Sequence, residues 1–295
     1  MEDSPIAEVS LNNTPLNPPL KVRGGNRAER GGGVIDLRQS LQYGNYIRSL
    51  GWVVVGKYPQ IFIRKLEPFG AIAKIQRFNQ LNWGEIQPVL KKYRVWMTKL
   101  EPNFKFQISN FKFRQDSWPM LATKTLRIDL TPSLEKINSQ FKKDCRSILR
   151  KLSTEHLALS TNNFEKFYEI WKKAAGIKHL WIPPKKDYDS LVKCFGKNCF
   201  CITVHNLAGS LVLVHDQVAY YYYSGALPEG KKLELPYLVV WECLKEAKKR
   251  GCKIWDFEGI YDERWPNKGW KGFSHFKKSF GGYEVEFPGS FTKWF

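Results

Sequence analysis

The chain has 295 residues, with 47 Lys and Arg against 28 Asp and Glu, a formal net charge of +19. Apolar residues make up 43% and aromatics 15%, enough for a buried core and enough to exclude a wholly disordered basic protein. No apolar run approaches the roughly 18–20 residues of a membrane-spanning helix, and residues 1–20 lack the charged start and apolar stretch of a secretion signal. The charge points to an anionic partner: nucleic acid, a phosphate-bearing substrate or an acidic membrane surface.

Residues 1–33, rich in Pro, Gly and Asn, bury too little to offset their ordering entropy and read as a flexible tail. From Val34 the pattern changes. Leu37–Trp52 reads as a helix stopped by Gly51, and WVVVGKY, IFIRKL and AIAKIQRF read as strands. A helix over Trp83–Leu100 follows, then strands in FKFQIS and TLRIDL. One long helix is expected after the Thr131–Pro132 cap, with Leu134, Ile137, Phe141, Cys145, Ile148 and Leu152 on its buried face. Lys136, Lys143 and Arg150 lie seven apart, with Arg146 among them, as a cationic stripe facing solvent or phosphate. Asn163–Ala175 and Tyr188–Phe195 read as helices.

Three strands then meander through CFCITVHN, GSLVLVHD and QVAYYYYSGAL. Alternation in the last puts Tyr221 and Tyr223 on one face, Tyr220 and Tyr222 on the other. A helix opens at Pro236 and stops at Gly251; the strand CKIWDFEGI and a Gly/aromatic segment close the chain. Cys194, Cys199 and Cys201 make a C-x4-C-x-C spacing that fits a buried strand or turn rather than zinc, and no histidine pair has ligand spacing, so no metal is expected. The second half therefore runs helix, helix, three strands, helix, strand, the α/β order of acyltransferases, and the first half repeats it loosely.

Several phrases resemble the FemAB/FemX family of aminoacyl-tRNA-dependent transferases that build peptidoglycan cross-bridges. They are QSLQYGNYIRSLGW, the Thr125–Leu152 block, YYYYSGAL, Leu235–Ile260 ending in WDFEGI, and GFSHFKKSFGG. The resemblance implies an α/β (α+β) fold of two acetyltransferase-like subdomains with mixed sheets and no coiled-coil arm. One would span 34–155, rejoined by 283–295 through the strand Tyr283–Phe287; the other would span 156–282. It implies a cytoplasmic monomer with no cofactor, taking aminoacyl-tRNA as co-substrate and a nucleotide- or lipid-linked peptidoglycan precursor as acceptor. Peripheral contact with the inner face of an anionic membrane is a further option.

The same resemblance assigns residues. Lys277 would hold the tRNA end or stabilise charge at the reacting ester, with Phe276 as an aromatic wall. Arg48 would face precursor phosphates, Lys185 and Tyr188 would form a basic/aromatic pair on the precursor, and Tyr223 would line the cleft. Arg146 and Arg150, on the cationic stripe, are candidates for phosphate. Family members carry an acid followed by proline at the end of the fourth strand. Taken in FKFQISNFKF, that place holds Asn110, and Asp116 becomes the substitute acid. Two other readings stay open: an acyl-CoA-dependent N-acyltransferase, for which the Gly-rich pyrophosphate loop is missing, and a non-enzymatic RNA binder, whose aromatics would stack bases.

Overall fold

The computed structural model describes residues 35–104 and 111–295. The tail expected over 1–33, most of the strand expected in FKFQIS, and Asn110 lie outside the described residues. In chain order the elements are α1 (Leu41–Ser49), β1 (Val53–Val55), β2 (Ile61–Lys65), β3 (Ala71–Gln76), α2 (Trp83–Lys92), β4 (Val95–Glu101), β5 (Arg114–Gln115) and β6 (Lys124–Asp129). Then come α3 (Leu134–Ser139), α4 (Lys143–Ser153), β7 (Leu159–Thr161), α5 (Phe164–Ile177), α6 (Lys185–Phe195), β8 (Cys199–Val204), β9 (Ala208–His215) and β10 (Val218–Ala226). The chain ends with α7 (Pro228–Lys232), α8 (Leu235–Lys249), β11 (Ile254–Asp256), α9 (Lys271–Lys278), β12 (Tyr283–Glu286) and β13 (Phe291–Trp294).

The strands form two mixed sheets, one ordered β1-β2-β3-β4-β13-β5 and one ordered β12-β6-β11-β10-β9-β8-β7. Each holds one parallel pair, β3 with β4 and β10 with β11. The chain passes to the second sheet at β6 and back to the first at β13. Tyr283–Glu286 pairs with β6 in the second sheet, and Phe291–Trp294 is the strand that returns beside β4. The apolar side chains of α8 and α4 close one face of the second sheet around Trp255, Phe200 and Phe280. On the other face, α5 and α6 meet α1 and β2 in one core containing Tyr43, Phe62, Phe167 and Tyr188. That shared core couples the two halves.

Three further expectations change. The helix expected to reach Leu100 stops at Lys92; Arg94 turns in a left-handed conformation (φ 52°) and β4 begins, with Val95, Thr98 and Leu100 buried. The long basic helix is broken into α3 and α4. Lys142 N–H donates to Ser279 O (2.8 Å), and the Arg146 guanidinium donates to the carbonyls of Ser139 and Phe141, so Lys136 leaves the stripe that Lys143 and Arg150 continue. The alternation in YYYY is interrupted by a register shift between Tyr221 and Tyr223. Tyr221 enters the α8 core, whereas Tyr220, Tyr222 and Tyr223 all pack with the α5 core. The C-x4-C-x-C cysteines fall on the end of α6 and on buried β8, and all six thiols are free.

Candidate functional site

Between the sheets lies a cavity of about 120 Å³, lined by Asp36, Arg38, Arg77, Thr125, Asp256 and Glu258 among others. Met120, Leu121, Ala122 and Trp270 also line a neighbouring lobe of about 190 Å³, whose walls include Trp118, Tyr261 and Trp265. Charges buried in this way must be paired or ligated to be tolerated.

The floor comes from the end of β11. Asp256 accepts from Thr125 Oγ1 (2.6 Å), Arg127 Nε (2.8 Å) and the Glu258 N–H (2.8 Å). Against its burial, the Arg127 charge and these hydrogen bonds hold its carboxyl below the ordinary range. Glu258, in a left-handed conformation (φ 58°), turns its carboxylate to Arg38, which also pairs with Asp36 (3.1 Å). Burial, helped by the Asp256 charge, outweighs Arg38 and pushes the Glu258 carboxyl up. A β-carbon on Gly259 would come within 2.7 Å of Ala122 Cβ, so only glycine lets this turn approach the opposite wall.

Lys277 fixes the turn from behind. Its Nζ donates to the carbonyls of Phe257 and Gly259, each at 2.7 Å, bracketing Glu258. Burial pulls its ammonium down to about 8. Phe273 lies 4.9 Å from that nitrogen. Phe276, the expected aromatic wall, packs instead on Tyr237 and Phe280.

The opposite wall carries Arg77. It is 5% exposed, donates from Nη2 to Ala122 O and lies 3.6 Å over the Phe287 ring. Among the described residues no carboxylate comes within ion-pair distance of it. Burial and the nearby Arg38 lower its affinity for its proton. Beneath it, Glu101 is buried and accepts from Gln76 Nε2 and the Leu121 N–H, both at 2.7 Å, which holds the loop lining both lobes.

Glu101 is followed by Pro102 at the end of β4, the fourth strand. The acid–proline pair that the resemblance implies thus stands at Glu101–Pro102 and not at Asn110, because β4, which begins at Val95, is the fourth strand. Asp116 lies on neither lobe; against its burial, hydrogen bonds from Lys99 and Ser290 keep its carboxyl low.

The other expected site residues stand apart. Arg48 is exposed and bonds Asn45 and the Val54 carbonyl. Lys185 pairs with Glu165 (2.8 Å) and Asp189 (2.6 Å). Tyr188 is a core residue whose hydroxyl donates to Phe164 O (3.0 Å), and Tyr223 stacks on Trp171 at 4.0 Å. Arg146 serves the α3–α4 break, and Arg150 is exposed on α4. Asp36, Arg38, Arg77, Glu101, Asp256 and Glu258 are not among the residues to which the sequence alone points. The usable signal was WDFEGI, two acids in an otherwise apolar run.

Residues 202–294 match the model of the FemAB family. In fold the chain is similar to the crystal structure of FemX, with a TM-score of 0.76 at 13% identity over 90% of this chain and 94% of that one. It is also similar to L-PGS from Bacillus licheniformis (TM-score 0.57, 9% identity, 89% and 88% covered). A further match is the DUF2156 C-terminal domain assigned to lysylphosphatidylglycerol synthetase from Agrobacterium fabrum (TM-score 0.59, 9% identity, 88% of each chain). No curated protein matches the chain. The FemAB/FemX resemblance is borne out by the family model over residues 202–294 and, in fold, by FemX, and the chain carries the two mixed sheets expected.

Proposed function

We propose that this chain is a bridge-forming aminoacyltransferase. It moves an amino acid from the ester of a charged tRNA onto an amine of a peptidoglycan-precursor stem peptide. The observation that carries this reading is the cavity between the sheets, with a base-strengthened carboxyl, Glu258, on one wall and on the other the guanidinium of Arg77, which has no ion-pair partner among the described residues. The match of residues 202–294 to the FemAB family supports it.

The acceptor amine attacks the ester carbonyl carbon, the new C–N bond forms, and the C–O bond to the ribose breaks. The amine must be neutral to attack, and Glu258, raised by burial, takes its proton and returns it to the departing ribose oxygen. Arg38 orients that carboxylate. Arg77 faces the oxyanion that develops on the carbonyl oxygen, where a desolvated positive charge acts most strongly. Lys277 is a positioning residue in this scheme: it fixes the backbone on both sides of Glu258.

The test in cells is mass analysis of muropeptides with and without the gene. Loss of the bridge residue, and its return on complementation, is the expected result; an unchanged muropeptide profile contradicts the proposal.

A further inference from the structure

The turn that closes α5 displays three large apolar side chains to solvent: Ile177 is 58% exposed, Leu180 60% and Trp181 82%. The turn is built, not loose. The N–H groups of Lys178 and Leu180 donate to Ala175 O (3.0 and 2.9 Å), that of His179 donates to Gly176 O (3.0 Å), and His179 takes a left-handed φ of 52°. Just beyond, Pro183 O accepts from Tyr168 Oη (3.1 Å), anchoring the returning chain to the core.

Lysines surround the tip. Lys173 is one turn before Ile177 on α5, and Lys178 lies within the turn. Lys231, on α7, is close enough for Lys178 to repel it, and Lys232 beside it is exposed. Two residues after Lys231, Leu233 is 48% exposed.

A partner must satisfy both parts of this surface. A nucleic acid offers phosphates to the lysines and a base to Trp181, but nothing apolar to Ile177 and Leu180. An anionic bilayer offers phosphates at the head-group level and hydrocarbon just below, the layering that the tip presents. Among the described residues no helix is long and apolar enough to cross a membrane, so contact here is from the surface.

We propose that the α5 turn is a membrane-docking tip: Ile177, Leu180 and Trp181 enter the interface of an anionic bilayer while Lys173, Lys178 and Lys231 contact its phosphates. Docking here is independent of the chemistry assigned to the cleft.

The test is co-sedimentation of the full chain with vesicles at about 0.1 M salt, where exposed charges act over roughly 10 Å. Vesicles of phosphatidylcholine with phosphatidylglycerol are compared with phosphatidylcholine alone. The wild type is expected to bind the anionic vesicles. The double variant Leu180→Ser/Trp181→Ser, with an unchanged melting temperature because both side chains are exposed, should bind them roughly tenfold less or weaker still. Lys178→Gln alone should cost about fivefold, from ~1 kcal/mol per lysine near such a surface. Equal binding by the double variant would show attraction through net charge alone and overturn the proposal. So would failure of the wild type to bind, or a self-association or RNA affinity that the double variant abolishes while vesicle binding persists.

Discussion

Arg77 is the most informative single residue. A guanidinium buried against a ring and one carbonyl is poorly solvated, and its removal relieves that cost. In the proposed mechanism it is one oxyanion donor, a role whose loss costs about 10²–10³ in kcat. Arg77→Met should therefore lower kcat by that order and leave the melting temperature the same or higher; steady-state kinetics beside calorimetry checks both. Lys277 makes a different prediction. Its folded pKa of about 8 lies below the ordinary lysine value of 10.5, so between these pH values the unfolded chain binds more protons. Stability should therefore rise with pH across that window relative to Lys277→Met, which lacks the titration. Denaturant midpoints at pH 7.5, 9 and 10.5 measure this; a flat difference contradicts the burial of the ammonium.

At the scale of elements, the joint between α3 and α4 rests on residues far away in sequence. Gly281 sits at φ 70°, where a β-carbon would meet Gln140 O at 2.6 Å. Gly281→Ala should destabilise the fold by ~1–3 kcal/mol, read as a shift of the urea midpoint at constant slope. This joint explains what the sequence hid: the apolar spacing from Leu134 to Leu152 is compatible with one helix, and only Ser279 and Gly281 reveal the break. The boundary of α2 had a larger consequence. VWMTKL has the alternation of a strand, yet next to WGEIQPVLKK it reads as more helix, which leaves Glu101–Pro102 with no strand end to mark it. By contrast β1–β3, the β8–β10 meander, α5 and α8 were legible, because periodicity and Gly/Pro punctuation agreed there. The site was less so: its acids and arginines sit at strand ends, where what a side chain faces depends on the packing of the two sheets.

For the whole molecule, the +19 charge divides into parts. Arg38, Arg127 and Lys277 are internal, spent on carboxylates or carbonyls of the cleft. The exposed lysines of α4, the α5 turn and α7 face solvent and remain for polyanions or lipid head groups. The cleft lies where the chain crosses between sheets at β6 and β13, and the shared α1–α5 core holds the two halves at fixed spacing. A preorganised cleft of this kind suits the proposed acyl transfer, which needs no covalent intermediate. The most direct measurement is mass spectrometry of a purified precursor incubated with charged tRNA and the wild type or Glu258→Gln. The account predicts a product heavier by one aminoacyl residue, dependent on charged tRNA and lost with Glu258→Gln. Product formed at the same rate by the variant, or from acyl-CoA with no charged tRNA present, would contradict it.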